Sequence, residues 1–587
     1  MPGIGPGIGS EVRIEDEQAG IPKVDPASVS GTRTATCPVM QISAPLNSEP
    51  IPCLQQIEVA TFFQLPSFQI IGLPSPEVAE ARERVRAAID ASGLEFPRRR
   101  VILNLSPASI RKRGTGLDLS MALAVVAIGS KQKFTLGAWG ELGLDGTVKP
   151  VGQLTRSLFA AWNGNLKYLL LSWEEFPAAV QILETLRESG EVQGEAPLLV
   201  PVRTLSEAWK WIEGGALQLP VAYLPKTFPK NGEEAESEVP IQTSEKTETM
   251  SPYLLPLSAS MERMIGVATA GCHHTLLLGP KGTGKSHAIE WLIALKPPLS
   301  AKERLRQDLI IDLENSTGRP LLEIESSAET EAKLARSVRR VSSQVRPGAL
   351  LGSATASLIR PGLFSLAHGG LLIADEFPEW HRDSREALRE PLERQKITLS
   401  RAQGTFELPA QFQMAATGNL CPCGGWPAQL PFPHDLPGNR QQLRCKCTDT
   451  VRKAYISRLS GPILDRIDLV ALMSQMPPMP QVGQTFNSSA TQLGILKEKV
   501  FKIKSKFTLL FGKPPGVLTG AETEELLQSN PRVASLLAGS QFSSLRSRHK
   551  LVRLAYSFAA WDGQDEPQAV HFTEASCYRA ERFAALI

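Results

Sequence analysis

The segment GPKGTGKS at residues 279–286 constrains this chain more than any other feature of its sequence. It matches G-x-x-x-x-G-K-[ST], the phosphate-binding loop of nucleotide hydrolases. A short apolar run, Leu276–Leu278, precedes it, and apolar residues at helical spacing follow it, so we expect the loop to join a buried strand to a helix. Its glycines let backbone N–H groups face phosphate oxygens at a helix N-terminus. The predicted nucleotide contacts are Gly279, Pro280, Lys281, Gly282, Thr283, Gly284, Lys285 and Ser286.

A second segment, GGLLIADEF, supplies two acidic residues at the end of another apolar strand. We expect Lys285 to reach the outer phosphates and Ser286 to hold a magnesium ion. Asp375 is suited to hold the same ion through its water shell, and Glu376 to orient a water for attack on the terminal phosphate. The structural alternative is a Gly-rich turn beside a core strand that ends in two exposed acids. Because both segments occur in this order, the sequence favours a nucleotide site.

The composition limits the functions open to the chain. A length of 587 residues suggests several domains, and 42% apolar with 21% charged residues is typical of a globular protein. A net charge of +3 is too small to indicate nucleic-acid binding, so such a role depends on local patches. No apolar stretch approaches the roughly 18 residues of a membrane span, and the N-terminus shows no export signal. Eight cysteines do not make a disulfide framework in a chain of this length, and the nucleotide site implies a reducing cytoplasm, so we expect a cytoplasmic protein without a membrane partner.

Shifts in composition divide the chain into five parts. A Gly- and Pro-rich tail is predicted to be disordered, and an acidic, polar segment is predicted to be a flexible linker. A folded domain lies between them, a nucleotide-binding domain follows the linker, and a segment with helical periodicity ends the chain. In chain order these parts are the tail (1–33), the N-terminal domain (34–215), the linker (216–252), the nucleotide-binding domain (253–480) and the helical part (481–587).

Local patterns predict several elements around the nucleotide motifs. In the N-terminal domain, Ser75-Pro76 starts a helix that Gly93 is placed to stop. After the two acids, the sequence predicts a helix over 385–394 and then a hairpin formed by KITLS and TFELP. The strand QFQMAATG leads to Asn419, whose amide is placed to position the attacking water. Taken alone, Asn419 is better explained as a turn residue, but its neighbours favour the water-positioning role.

Several longer segments resemble the magnesium-chelatase-like AAA+ ATPases of the ComM/YifB type. They include SLAHGGLLIADEFPEW, REPLERQKITLSRAQGTFELPAQF, GNLCPCGG and SRLSGPILDRIDL, together with LPSFQIIGLPSPEVAEARERVRAAID and GELGLDGTVKPVGQL nearer the N-terminus. The resemblance implies an α/β fold with a P-loop AAA+ module, in which helices flank a parallel sheet, and an α-helical C-terminal lid. It also implies a preceding α+β domain similar to that of Lon proteases and of ribosomal protein S5.

The resemblance implies a function as well. Members of the family are ATP- and magnesium-dependent motors that assemble into rings, usually hexamers, and the ComM type is associated with DNA branch migration during natural transformation. The leading hypothesis is therefore a homo-oligomeric motor that acts on DNA. The alternative is a chelatase-type motor that remodels a metal-insertion partner, and a third hypothesis is an ATP-binding scaffold. The Lon-like domain counts against the chelatase alternative, because chelatase motor subunits resemble only the AAA+ part.

By position, the resemblance assigns roles to three residues of this chain. Asn419 falls on the first sensor, and Arg466, in GPILDRIDL, falls on the arginine finger that reaches a neighbour's γ-phosphate. Arg546, in FSSLRSRHK, falls on the second sensor of the helical lid. Without the family, a salt bridge with Asp465 or Asp468 is the better explanation of Arg466. The chain departs from the family where RVSSQVRPGALLG replaces the usual F-R-A-P-H-H stretch, which makes it a divergent member.

The N-terminal domain lacks the catalytic pair of Lon proteases, in which a lysine activates a serine. The position of the serine falls in Gly114–Asp118, which contains none, and Thr155 stands at the position of the lysine. Ser120 and Lys149 lie off register, so we expect no peptidase activity and instead a role in assembly or DNA contact. Two basic clusters either contact phosphates or form solvated edges, namely Arg98–Arg100 and Arg111–Arg113.

Four of the cysteines form a pattern in a Pro- and Gly-rich segment. Cys421 and Cys423 make one C-x-C pair, and Cys445 and Cys447 make a second. Four thiolates can close a tetrahedral zinc site, although C-x-C is tighter than the spacing usual in such sites. Reduced free thiols and a redox pair are the alternatives. The predicted metal ligands are thus these four cysteines for zinc, with Ser286 and Asp375 for magnesium.

Overall fold

The structure analysed is a computed structural model of the chain. It describes residues 40–47, 51–128, 136–214, 254–314, 338–355, 359–401, 404–426, 445–473, 486–537, 542 and 544–579. The predicted tail (1–33) and linker (216–252) lie outside these residues, so both stay predictions. Among the described residues, no helix has the length and apolar character needed to cross a membrane.

A mixed seven-stranded sheet forms the N-terminal part of the chain, together with a separate two-stranded hairpin. The strands are β1 (Met40–Leu46), β2 (Cys53–Phe62), β3 (Ser67–Ile71), β4 (Arg100–Ser106), β5 (Leu136–Trp139), β6 (Glu141–Leu142), β7 (Val148–Lys149), β8 (Tyr168–Ser172) and β9 (Leu198–Val202). The sheet order is β3-β4-β2-β1-β5-β8-β9, and β6 pairs with β7. Alternate residues of β4 are buried, as expected of a strand with one face on a core.

Among the described residues of this part, five α-helices accompany the sheet. The first begins where the sequence predicts, because Ser75 caps its N-terminus and Pro76 occupies the first turn. Gly93, at a backbone φ of +71°, follows its end. The helices are α1 (Pro76–Ala91), α2 (Asp118–Val126), α3 (Leu154–Asn163), α4 (Phe176–Ser189) and α5 (Leu205–Gly214).

A parallel five-stranded sheet organises the second part of the chain, with two antiparallel hairpins beside it. Its strands are short, apolar and buried, as expected of strands covered by helices on both faces. In chain order the strands are β10 (Thr275–Leu278), β11 (Val338–Val341), β12 (Gly352–Ala354), β13 (Ile359–Pro361), β14 (Leu371–Ala374), β15 (Lys396–Arg401), β16 (Gly404–Pro409), β17 (Gln413–Gly418) and β18 (Leu469–Leu472). The sheet order is β11-β14-β17-β10-β18, and the hairpins are β12–β13 and β15–β16.

The helices around this sheet include one correction to the sequence analysis. The single helix predicted over 385–394 is wrong, because two short helices, Arg382–Glu386 and Arg389–Arg394, occupy that segment. Pro391 has no N–H to donate to Ala387, so a continuous helix is unfavourable there. The helices are α6 (Ala259–Ala270), α7 (Lys285–Leu295), α8 (Ala301–Glu314), α9 (Pro347–Leu351), α10 (Leu363–Leu366), α11 (Arg382–Glu386), α12 (Arg389–Arg394), α13 (Asp449–Ile456) and α14 (Gly461–Leu464).

Helices make up the regular secondary structure of the described residues after 485. The longest, Phe486–Phe511, packs with the central helices of the preceding part in one shared apolar core. The segment LRSRHKLVRLAYSFAAW is helical, as predicted, and is buried along most of its length. These helices are α15 (Phe486–Phe511), α16 (Gly520–Ser529), α17 (Pro531–Leu536), α18 (Leu545–Trp561) and α19 (Ala569–Cys577).

Helix α8 joins the two parts of the chain. Leu305 packs in an apolar cluster with Leu158 of the N-terminal part. The buried carboxylate of Asp312 accepts a hydrogen bond from the backbone N–H of Arg156 at 3.2 Å, and the guanidinium of Arg156 donates to the carbonyl of Leu309 at 3.0 Å. Polar groups buried at such a junction are hydrogen-bonded across it, which fixes how α8 sits on the N-terminal part.

Glu175 is a buried acid close to this junction. One of its oxygens accepts hydrogen bonds from the N–H groups of Val151 and Gly152, at 3.2 and 2.9 Å. Its Oε2 atom has no hydrogen-bond partner among the described residues. Burial, together with the nearby charge of Asp312, raises the pKa of Glu175 to about 7. The folded chain therefore holds this carboxyl in its neutral form more readily than the unfolded chain does.

We expect the substitution Glu175→Gln to stabilise the chain at pH 8 but not at pH 5. The pKa is raised on folding from 4.5 to about 7, so the stability that this group contributes is present below the lower value and is lost as the pH rises through the upper one. Glutamine mimics the neutral form and escapes that loss, which is at most about 3 kcal/mol. Thermal unfolding of both chains from pH 5 to pH 8 is the measurement. A difference in melting temperature that does not change with pH would contradict the argument.

Candidate functional site

The phosphate loop lies between β10 and α7, as its motif predicts. Gly282 and Gly284 have φ values of +79° and +83°, which favour glycine. Gly279 has no room for a side chain, since a Cβ there would lie 2.3 Å from the carbonyl oxygen of Met473. Its N–H donates to the carbonyl of Gly418 at 3.2 Å, which ties the start of the loop to the end of β17.

Lys285 is the first residue of α7, and its ammonium points back into the loop. It donates to the carbonyls of Gly279 and Pro280 at 2.8 and 2.6 Å and to Oδ1 of Asn419 at 3.3 Å. Burial, and then the charge of Lys281, lower the pKa of Lys285. A phosphate group placed in the loop would supply the negative charge that favours the protonated amine.

Asp375 and Glu376 directly follow β14, which β17 separates from the strand that leads into the phosphate loop. Thr417 positions both, because its hydroxyl donates to Oδ1 of Asp375 and accepts from the N–H of Glu376, each at 3.2 Å. Glu376 has a φ of +49°, a left-handed conformation that costs roughly 1 kcal/mol or more in a non-glycine residue and is common at functional sites. Its exposed side chain faces solvent, where a water and a nucleotide can enter.

The parallel sheet explains why these residues meet. The carboxyl ends of β10, β14 and β17 lie at one edge of the sheet, which we call the carboxyl edge, and the loop, the two acids and Asn419 follow these ends directly. The carboxylate of Asp375, 44% exposed, and the exposed hydroxyl of Ser286 are hard oxygen donors of the kind that magnesium prefers together with water. The arrangement suits binding a nucleotide triphosphate with its metal ion.

Two residues near the acids were missed by the sequence analysis. Thr417 lies inside the predicted strand, where its hydroxyl carries no motif signal. Arg340, in β11, pairs with Glu290 of α7 at 2.5 Å, and its guanidinium lies 3.9 Å from Asp375. The neighbouring placement of β11 and β14 in the sheet brings Arg340 to Asp375, and no local motif around Arg340 signals this contact.

Arg466 lies at the opposite, amino edge of the same sheet. It precedes β18, and the backbone N–H groups of Asp468 and Leu469 both donate to the carbonyl of His274, at the start of β10. The four residues of β10 separate the two edges by about 13 Å at roughly 3.3 Å per residue. Arg466 therefore lies away from the phosphate loop of its own chain.

In this chain the guanidinium of Arg466 is held by α12. It donates to the carbonyls of Arg389 and Pro462 at 3.1 and 2.7 Å and forms an ion pair with Glu393. The alternative salt bridge expected with Asp465 or Asp468 is therefore replaced by one with Glu393.

Arg546 lies at the amino edge too. It is near the start of α18, whose Lys550 donates to the carbonyl of Ile467 at 2.9 Å. Arg546 pairs with the same carboxylate as Arg466, that of Glu393. Burial opposes ionisation of Glu393, but Arg466 and then Arg546 outweigh it, and the pKa of Glu393 is lowered. The structure thus brings the two predicted arginines together on one carboxylate.

The four patterned cysteines come together in space. Their sulfur atoms all lie within 4.8 Å of one another. The Sγ of Cys421 lies 3.3 Å from that of Cys423, and the Sγ of Cys445 lies 3.6 Å from each of these two. A tetrahedral zinc ion bound at ~2.3 Å separates its sulfurs by about 3.8 Å, so the cluster has the size and the donor atoms of a zinc site. None of the cysteines in the described residues forms a disulfide.

The three residues considered for peptidase chemistry lie on different elements and differ in their exposure to solvent. Ser120 is fully buried, and its hydroxyl donates to the carbonyl of Ala138. Lys149 is exposed and pairs in register with Glu141 in the β6–β7 hairpin. Thr155 is buried in α3.

Comparison with known proteins supports the assignment to a family. The family described as "Magnesium chelatase, subunit ChlI" matches residues 258–480, and the one described as "Subunit ChlI of Mg-chelatase" matches residues 57–175. The first match includes the phosphate loop, both acids, Asn419 and Arg466. The second includes most of the N-terminal sheet.

Similar proteins extend over nearly the whole chain. It is 30% identical over 559 residues to the uncharacterized protein YifB of Escherichia coli strain K12, which covers 91% of this chain and 95% of YifB. It is 29% identical over 526 residues to an uncharacterized protein of Mycobacterium tuberculosis strain H37Rv, covering 87% and 93%. It is 27% identical over 537 residues to the competence protein ComM of Haemophilus influenzae, covering 90% and 94%. The chain therefore belongs to the magnesium-chelatase-like family that includes YifB and ComM.

Proposed function

We propose that this chain is an ATP-hydrolysing AAA+ motor that assembles into a ring, usually a hexamer in its family, and acts on DNA. One observation carries the proposal. The phosphate loop, the acid pair and Asn419 converge at the carboxyl edge of the parallel sheet, whereas Arg466 lies at the amino edge. A site divided in this way is complete only where one subunit meets another. The family membership supports the use of ATP and magnesium.

Each residue at the carboxyl edge has a separate proposed role in ATP hydrolysis. Lys285 exchanges the carbonyls of Gly279 and Pro280 for phosphate oxygens, and loop N–H groups at the start of α7 donate to the same phosphates. When bound through Ser286 and the water shell of Asp375, magnesium neutralises charge that develops on the phosphates. Glu376 orients the attacking water, and Asn419, which contacts Lys285, holds that water in line.

Two arginines complete the site from the neighbouring subunit. Arg466 and Arg546 lie side by side on Glu393, so a neighbour's γ-phosphate can replace that carboxylate as their anionic partner. A bidentate guanidinium stabilises the charge of the transferred phosphoryl group in the transition state. This arrangement makes hydrolysis depend on assembly and couples turnover in one subunit to the position of the next.

DNA is the proposed substrate of the motor. The similarity to a competence protein supports a role in recombination, such as branch migration during natural transformation. The β15–β16 hairpin carries Lys396, which pairs with Glu407 at 2.6 Å, and is a candidate for gripping a phosphate backbone in the pore of a ring. The basic cluster Arg98–Arg100 is a second candidate contact. The N-terminal domain, with its proposed Lon-like fold, serves assembly or DNA contact without peptidase activity.

A chelatase-type function is the second candidate. Both matching family descriptions name a magnesium chelatase subunit, and one of them covers residues 57–175 of the N-terminal part. The N-terminal domain therefore no longer counts against this function, contrary to the sequence analysis. A motor of this type would remodel a metal-insertion partner, and its ATP turnover would respond to that partner and not to DNA.

Zinc is the metal that we propose for the four-cysteine cluster. Four thiols within 4.8 Å match the donor set of a closed structural site, and the alternative of free thiols leaves their close approach unexplained. Such a cluster stays reduced and loaded in a cytoplasmic environment.

ATP turnover with and without branched DNA tests the motor hypothesis. We expect forked or Holliday-type DNA to stimulate turnover of the intact chain. Lys285→Ala should lower turnover by about 100-fold, because one lost donor to the developing charge costs roughly 3 kcal/mol. Lys502→Ala, which removes an exposed lysine of α15, is the matched control and should behave like the wild type. If turnover is normal but the chain neither binds such DNA nor responds to it, the DNA function is wrong and the chelatase-type function gains support.

Mixing two inactive variants tests whether the site is shared. We expect Arg466→Ala and Glu376→Gln each to hydrolyse ATP at least tenfold more slowly than the wild type. In a mixed ring, a phosphate loop with Glu376 from one variant faces Arg466 from the other, so part of the activity should return. Arg532→Ala, at an exposed position of α17, controls for loss of an arginine. If Arg466→Ala remains fully active, or mixing restores nothing, the two-subunit site is contradicted.

Metal analysis tests the cysteine cluster. We expect one zinc ion per purified chain, and Cys445→Ser should lose it because serine is a poor zinc ligand. Cys577→Ser changes an exposed cysteine outside the cluster and should keep the metal. A wild-type chain that remains metal-free after purification with added zinc would favour free thiols.

A further inference from the structure

The cysteine turn, residues 421–424, lies directly against the phosphate loop. Gly424 is the point of contact, because its carbonyl accepts a hydrogen bond from the backbone N–H of Lys281 at 2.8 Å. The turn closes on itself through the N–H of Gly424, which donates to the carbonyl of Cys421 at 3.0 Å. Lys281 lies at the tip of the loop, so the turn holds the part of the loop farthest from its strand.

The side chain of Lys281 packs on the same glycine. A Cβ added to Gly424 would lie 2.7 Å from both Cγ and Cε of Lys281, and the glycine has a φ of +72°. Any other residue there would be strained and would displace the lysine. Gly424 is thus suited to a close contact between the cysteine turn and the loop, independently of the sulfur atoms.

The other end of the turn connects to the catalytic amide. Asn419, which accepts from Lys285 at 3.3 Å, lies two residues before Cys421. The carbonyl of Gly418 accepts from the N–H of Gly279 at 3.2 Å. The segment from Gly418 to Gly424 therefore contacts the phosphate loop at its start, at its lysine and at its tip.

Only part of this segment is fixed by the apolar core. Leu420 and Cys421 are buried, whereas Cys423 is exposed. The remaining sulfurs, those of Cys445 and Cys447, come from a distant segment that leads into α13. A metal ion is the group that would hold four thiolates together, since their charges otherwise repel one another.

We propose that the zinc-held cysteine turn, acting through the carbonyl of Gly424, positions the phosphate loop for nucleotide. This inference rests on the proposed ATP and zinc sites and adds a coupling between them. Gly424 is a positioning residue that touches the loop and not the nucleotide. Loss of the metal then weakens ATP binding through the displaced phosphate loop. The four-cysteine cluster is part of the nucleotide site and not only a staple of a distant loop.

Two variants of the full-length chain distinguish the effect of losing zinc from the effect of losing the contact between Gly424 and Lys281. Cys423→Ser removes a ligand, and we expect it to lose zinc and to bind a fluorescent ATP analogue, with magnesium present, about tenfold more weakly. Gly424→Ala keeps all four thiols, and we expect it to keep zinc yet to lose affinity to a similar degree. Gly563→Ala is the matched control, because Gly563 has a φ of +77° and no atom within 4 Å of an added Cβ. It should keep both zinc and normal affinity.

Adding zinc back to metal-free chain tests whether weak nucleotide binding comes from loss of the metal or from unfolding. Wild-type chain stripped with a chelator, transferred into magnesium buffer and checked by circular dichroism should bind the analogue weakly, and zinc chloride alone should restore the affinity. We also expect the KM for ATP to rise more than kcat falls in Gly424→Ala.

The possible failures are distinguishable. If zinc-free, folded chain binds the analogue with wild-type affinity, or if Gly424→Ala does so, the coupling is overturned while the ATPase proposal stands. If the wild type holds no zinc, the coupling is overturned together with the metal assignment. If the wild type binds no nucleotide at all, the proposed function is overturned as well.

Discussion

The parallel direction of five short strands is the constraint on which the rest of the site depends. Each strand of the sheet β11-β14-β17-β10-β18 contributes its carboxyl end to the same edge. Groups that lie far apart in the chain, the phosphate loop after β10, the acids after β14 and Asn419 after β17, meet there without any special loop. The hydroxyl of Thr417 then fixes the acids relative to the strand that carries Asn419.

The same constraint separates Arg466 from the nucleotide of its own chain. A residue that precedes β18 lies at the amino edge, and the length of β10, about 13 Å at 3.3 Å per residue, separates this edge from the one that carries the phosphate loop. In the single chain both arginines pair with Glu393. In the proposed ring, a neighbour's phosphate would replace this carboxylate. Assembly and catalysis would then be linked by which anion the arginines contact.

Local sequence signals predicted much of this arrangement, because each depends on neighbours within a few residues. The phosphate loop, the strand before the acids, the β15–β16 hairpin and the helix after Ser75 are all signals of this kind. The helix over 385–394 failed because Pro391 outweighed the favourable residues around it. Long-range contacts had no signal: that Glu393 serves both arginines, or that Arg340 approaches Asp375, follows only from how the elements pack. Spacing suggested the cysteine cluster but gave no hint that it contacts Lys281.

Two sets of contacts hold the phosphate loop, and we expect them to respond differently to nucleotide. The amine of Lys285 donates hydrogen bonds to two carbonyls of the loop, and burial lowers its pKa. A phosphate that binds there would replace those carbonyls as the acceptor and would favour the protonated amine. The N–H of Lys281, by contrast, donates a hydrogen bond to the carbonyl of Gly424, and we expect this bond to remain when nucleotide binds. The contacts of Lys285 therefore change on nucleotide binding, whereas the contact of Lys281 is retained. In the proposed coupling, the contact between Lys281 and Gly424 would hold the loop in place while Lys285 changes partners, and this would lower the conformational entropy that nucleotide binding must overcome. Through this contact with the loop, the proposed loss of the cysteine turn's position would change the affinity for ATP.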